Sequence, residues 1–221
     1  MTRHAIAAEF VGSLLLAATV IGSGIAAERL SGGNVAIALL ANSLATGAIL
    51  YALIVAFADI SGAHFNPAVS MALAIKRIVT ARIAALYVVA QVAGMILGAW
   101  LAHAMFGLSL LQSSTRERAE FGLLVGEVVA TAGLVFVVIA LAGRRVETIA
   151  TAVALYIVAA YWFTSSTSFA NPAITIARSL SDTFAGISPA SVPGFIIAQT
   201  IGVVVAIGVV WLCVPSRKPI L

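Results

Sequence analysis

Charge is scarce in this sequence. Of 221 residues, 12 are Lys or Arg and 8 are Asp or Glu, 9% in all, against roughly 25% in a soluble domain. With 62% hydrophobic residues, a water-soluble globule and a disordered chain are both excluded. The basic residues stand in twos and threes rather than in a stripe, so the net charge of +4 leaves no footprint for nucleic acid. A single cysteine, Cys213, excludes an intrachain disulfide and a cysteine-only metal site. There is no GxxxxGK[ST], no dinucleotide fingerprint and no His-Glu-x-x-His. Metal and cofactor binding, and enzyme chemistry with them, therefore have no residues to rest on. What remains is an integral membrane protein whose solvent is the lipid bilayer.

Long apolar runs are what the chain does have. A spanning helix needs about 20 such residues, and six stretches meet or approach that length: 5–27, 35–58, 83–106, 121–142, 148–165 and 192–214. They are continuous in Leu, Ala, Val and Ile, without the strict alternation of a membrane β-barrel. The first is too long for a signal peptide and is followed by another span. Placing the N-terminus inside puts Arg3, Lys76, Arg77, Arg82, Arg144, Arg145, Arg217 and Lys218 in the cytoplasm. Arg29, Arg116, Arg118 and Arg178 then face outside. The excess of inside charge predicts a multi-pass protein of the cell membrane with both termini cytoplasmic.

Two apolar stretches, 66–75 and 171–180, are too short to span. About ten residues of helix reach ~15 Å, half the hydrocarbon thickness. Each opens with Asn-Pro, Asn as N-cap and Pro at the first helical position. They read as re-entrant half-helices that start near the midplane. Asn66-Pro67-Ala68 recurs 105 residues later as Asn171-Pro172-Ala173. Ala90-Gln91 with Gly94 recurs as Ala198-Gln199 with Gly202, and Glu9 in the first span is matched by Glu127 in the fourth. The chain is thus one transmembrane domain, 1–221, of two repeats, about 1–110 and 120–221. An odd number of spans per repeat inverts the second half. The expected fold is all-α: six transmembrane helices and two half-helices meeting at the midplane. Non-helical backbone at that depth survives only where it is buried in protein or lines a watery cavity, which predicts a pore.

Ser61-Gly62-Ala63-His64-Phe65-Asn66-Pro67-Ala68 and Asn171-Pro172-Ala173 closely resemble the paired loops of the aquaporin (major intrinsic protein) family. The likeness covers nearly the whole chain. It implies the aquaporin fold, a homotetramer with one pore per subunit, and passive conduction of water or small neutral solutes. Asn66, Pro67, Ala68, Asn171, Pro172 and Ala173 are then the pore motifs, with each asparagine offering its amide to passing solute. One departure is informative: the constriction position that usually carries arginine is Ile174, followed by Thr175 where glycerol-conducting relatives usually have aspartate. Counting from the asparagines sets the other constriction positions at Thr46, Ala159 and Ser168, with no large aromatic residue. This pattern is similar to that of a bacterial subgroup associated with arsenic resistance. It implies passage of glycerol-like polyols and metalloid acids such as arsenite.

Several other residues have two readings. A carboxylate inside a span is a functional suspect. Glu9 and Glu127 either couple protons or accept N–H groups from the re-entrant loops, and their symmetry favours the second role. His64 lines the pore or packs the loop. Arg178, about 6 Å outside Ile174 along the helix, either charges the outer vestibule or snorkels to the interface, the commoner arrangement. Gly12, Gly94, Gly98, Gly202 and Gly208 read as helix-packing positions, and His103 as a lone residue near a span end. The competing function is a secondary transporter alternating access around a midplane site, since transporters also use inverted repeats and broken helices. A closed tetramer plugged by Ile174 is a third.

Overall fold

The computed structural model describes residues 2–213. Arg217 and Lys218, counted above among the inside charges, lie outside the described residues, as does Val214 of the last expected span. The described chain is helical throughout: α1 Thr2–Leu30, α2 Val35–Ser61, α3 Pro67–Ile75, α4 Ala81–Met105, α5 Phe121–Ala140, α6 Val146–Phe163, α7 Pro172–Ser179 and α8 Val192–Cys213, with a 3-10 turn at Pro189–Ser191 before α8. Six are long and apolar enough to cross a membrane. The two short ones, α3 and α7, are the expected half-helices.

Local chemistry sets these boundaries. Asn34 caps α2 by accepting from Ala36 N and Ile37 N at 3.1 and 3.2 Å. Gly62 ends the same helix in the left-handed conformation, φ 87°, where a Cβ would be strained. Asn66 and Asn171 cap α3 and α7, each accepting from the backbone N–H two residues on, at 2.8 and 3.0 Å. In each case proline follows at the first helical position, where its missing N–H costs nothing.

The halves pack alike. In the first repeat α1 lies on α4, and in the second α5 lies on α8. Glycine makes both approaches close: a Cβ on Gly94 or Gly98 would strike the carbonyl oxygens of Phe10 or Leu14, and one on Gly202 would meet Val128 O. Gly12 leaves room for the Phe65 ring. Gly208 departs from the expectation: it sits on an exposed face, and a Cβ added there would meet nothing within 4 Å. Leu44, Val89, Leu155, Val204 and Trp211 also stand exposed, as apolar residues do when the solvent is lipid.

Candidate pore and its two mouths

The re-entrant loops are held by carboxylates. Glu9 is fully buried. One of its oxygens accepts from Ser61 Oγ at 2.7 Å and His64 N at 2.9 Å. The other accepts from Phe65 N and Gln91 Nε2, both at 2.7 Å. Glu127, equally buried, repeats the pattern with Phe169 N, Ala170 N and Gln199 Nε2 at 2.8, 2.9 and 2.6 Å. Each glutamine amide also donates to a hydroxyl on its half-helix, Ser70 in one case and Thr175 in the other. Thr175 is thereby turned onto α8.

These bonds hold backbone that would not otherwise adopt its shape. Ala63 and Phe65, three and one residues before Asn66, have φ of 51° and 48°. Ser168 and Ala170, at the mirrored places before Asn171, have 50° and 46°. Such conformations cost of order 1–3 kcal/mol each outside glycine. The loops then interlock: Asn66 Nδ2 donates to Ala170 O at 2.7 Å, and Asn171 Nδ2 donates to Phe65 O at 2.9 Å.

Both asparagines line a cavity of about 100 Å³. At roughly 10–15 Å³ per water, that admits a short file of waters or one small polyol. Its walls are mostly apolar, with Leu50, Ile54, Val69 and Leu73 from the first repeat and Leu134, Val138, Val153 and Ile157 from the second. Polar groups are few. His64 lines the α3 side, with its Nδ1 3.0 Å from Ser70 Oγ and its ring edge-on to Tyr87. It both packs the loop and faces the cavity.

On the α7 side, Thr46, Ser168 and Ile174 line the cavity. Ala159 does not: it is exposed on the outer face of α6. The lining residue there is Tyr161, buried, with its hydroxyl 3.1 Å from Thr46 Oγ1. The count of twelve residues back from Asn171 crosses residues 164–171, which are not helical, so helical register does not carry across them. The expected absence of a large aromatic side chain is corrected with it.

Arg178 is the larger surprise. It does not snorkel: its side chain is buried, lines the cavity and sets its guanidinium carbon over the Phe169 ring, 3.3 Å from the centroid. Its Nε donates to Ala185 O. Phe169 is held edge-on by Phe195, and Arg118 approaches the same ring at 5.1 Å. Arg118 comes from the loop between α4 and α5 and donates through Nε to Gly186 O at 3.0 Å. Burial, and then the neighbouring Arg116, lowers its pKa to about 10, which leaves it cationic at neutral pH. His103, with no role in the sequence reading, fastens this mouth: its ring nitrogens contact Leu110 O and Ser181 Oγ at 3.0 and 2.9 Å.

The family model for the major intrinsic proteins matches residues 1–148. This chain belongs to the major intrinsic protein family. As a member it is a channel for small uncharged solutes and not an enzyme. Across 98% of this chain and 93% of the relative it is 48% identical to the aquaglyceroporin AqpS of Rhizobium meliloti (strain 1021). A probable aquaporin of rice, PIP2-8, is 41% identical over 100 residues, 45% of this chain and 35% of that protein. Among solved structures, the X-ray structure of the aquaglyceroporin from Plasmodium falciparum superposes with a TM-score of 0.73 at 19% identity, covering 96% of this chain and 98% of that one. That likeness establishes the fold.

Proposed function

We propose that this member of the family conducts glycerol-sized polyols and metalloid acids such as arsenite, with some water, through the cavity between α3 and α7. The observation that carries this reading is the wall on the α7 side. Ile174 stands where an arginine would narrow the passage and fix donors, and Thr46, Tyr161 and Ser168 leave a partly polar edge. A bulkier neutral solute gains room, while a file of water loses hydrogen-bond partners along the apolar wall. In this reading Asn66 and Asn171 supply the amide donors at the midplane. Pro67, Ala68, Pro172 and Ala173 fix the helix starts, and Glu9 and Glu127 support the loops. The two half-helix N-termini add positive potential there, which repels cations and protons.

The chain forms one domain of two repeats and works as a homotetramer in a bacterial inner membrane, with both termini in the cytoplasm. Support comes from the apolar outer faces and from the distribution of Lys and Arg among the short connections. The transporter reading loses its coupling groups, because both intramembrane glutamates are engaged by backbone and glutamine N–H groups. Stopped-flow light scattering on one proteoliposome preparation, with water, glycerol, urea and arsenite, tests the proposal. The expected result is glycerol and arsenite flux linear in concentration and indifferent to proton or sodium gradients. Saturating, gradient-driven flux would restore the transporter, and no flux would mean a plugged pore.

A further inference from the structure

We propose that the α7 mouth is a binding site for a small planar oxyanion, of the carboxylate or nitrate class, centred on the Arg178 guanidinium. Occupancy of this site obstructs neutral solute, a consequence that rests on the channel reading above.

A buried charge is costly unless it is paired. Arg178 is 3% exposed, yet the one ion pair among the described residues joins Arg145 to Glu147 elsewhere. The nearby carboxylate, Glu127, has both oxygens occupied by Phe169 N, Ala170 N and Gln199. No Asp or Glu lines the cavity among the described residues. Arg178 therefore brings a positive charge to the wall that no carboxylate among the described residues contacts as an ion pair, and Arg118 adds a second beside the same ring.

The orientation of the group says what fits. Its face is covered by Phe169 and its Nε is taken by Ala185 O. Neither Nη donates to a protein acceptor among the described residues. What remains is the terminal edge of a planar fork, held in place by these two contacts at a residue that lines the cavity. Such an edge matches two coplanar oxygens of one anion better than a spherical ion or a single hydroxyl. Ser168, also lining the cavity, has a buried hydroxyl with no partner among the described residues. Beyond the fork the wall is Ile174, Val153, Ile157 and Leu50. An ion must shed its water to pass that wall, and these four side chains offer no donors in exchange, so it stops at the mouth. The α3 end has no counterpart: the position seven residues after Asn66 is Leu73.

The test is glycerol flux in proteoliposomes of the full chain, with potassium nitrate or potassium chloride at equal ionic strength on both sides. Nitrate is planar and fully ionised, and chloride offers no pair of oxygens. Flux in nitrate is expected to be at least three-fold lower than in chloride, saturating with concentration. Arg178→Met is expected to bring the ratio to one. Arg178→Lys, a compact charge without the fork, is expected to retain less than half of the effect. Each ratio is taken within one variant, so differences in basal flux cancel, and the lysine variant carries the test if the methionine variant does not insert. Equal flux of the natural protein in the two salts, or an unchanged ratio in Arg178→Met, overturns the proposal. If no salt gives glycerol flux, the channel reading fails instead. Nitrate titrated into the detergent-solubilised protein then decides the site: heat of binding lost in Arg178→Met upholds it, and no heat overturns it.

Discussion

The loop before Asn66 and the loop before Asn171 are the same device built twice, yet their surroundings differ at one end only. Left-handed residues sit three and one places before each asparagine. A buried glutamate and a glutamine fasten each loop, and each half-helix starts with proline. The residues facing the cavity do not follow this symmetry. Three places after the asparagine both halves are apolar, Val69 and Ile174, but seven places after, Leu73 in one half is matched by Arg178 in the other. Two places before, His64 is matched by Phe169, which carries the guanidinium. The scaffold therefore constrains both halves, whereas selectivity chemistry is free to collect at one mouth.

The largest effect tests the symmetric part. Glu127→Ala orphans two buried backbone donors, Phe169 N and Ala170 N, each costing about 1–3 kcal/mol, and removes one of the two acceptors of the Gln199 amide. The loss of stability should be about 3–5 kcal/mol, or on the order of 10 °C in Tm for a chain of this size. Glu9→Ala should match it in thermal unfolding in detergent. A large loss in one half and a small one in the other would break the equivalence of the two loops.

The next effect belongs to the asymmetric part. Ile174→Arg restores bulk and fixed donors beside Arg178. It should lower glycerol and arsenite flux about ten-fold, a barrier of about 1–2 kcal/mol, measured by light scattering at matched protein density. Unchanged flux of the largest permeant solute would mean that Ile174 is not at the narrow point.

A smaller change separates Tyr161 from Ala159. Tyr161→Phe removes the hydroxyl that meets Thr46, one hydrogen bond worth about 1 kcal/mol, and should change glycerol flux about two- to five-fold. Ala159→Leu, on an exposed face, should leave it within about two-fold. The reverse order would return the constriction position to Ala159. Smallest of all is Ser168→Ala. Its hydroxyl has no partner among the described residues, so Tm should stay within about 1 °C and glycerol flux within about two-fold. A large fall in flux would make that hydroxyl a solute ligand.

Most of the architecture was legible because its signals are local or repeated. Apolar length marks a span, Asn-Pro marks a helix start, and the same words occurring twice mark the repeat. The buried glutamates were legible for the same reason, as each is unmistakable in an apolar run. Tyr161 was not, because residue counting assumes helical rise and the eight residues before Pro172 are irregular. Arg178 was misjudged for a different reason. A lone arginine near a span end usually finds water, and nothing local to Arg178 announces that Phe169 supplies a ring beneath it or that the loop carrying Arg118 closes over the same ring. The first contact reaches back across the irregular start of α7, and the second brings in a loop from outside that repeat, since Arg118 lies between the two repeats. Gly208 shows the converse, a packing signal in sequence with open space around it.

The crossed amide bonds between the two loops also bear on how the molecule is made. Asn66 needs a carbonyl 104 residues downstream, and Asn171 needs one belonging to the earlier half. At a synthesis rate of about 5–20 residues per second, the first loop waits on the order of 5–20 s for its counterpart. During that interval an amide and a carbonyl at membrane depth lack each other, so the first half leaves the ribosome as an unfinished product. The pore is consequently complete only once the second re-entrant loop has been made, since each half supplies a carbonyl that the other half's asparagine uses.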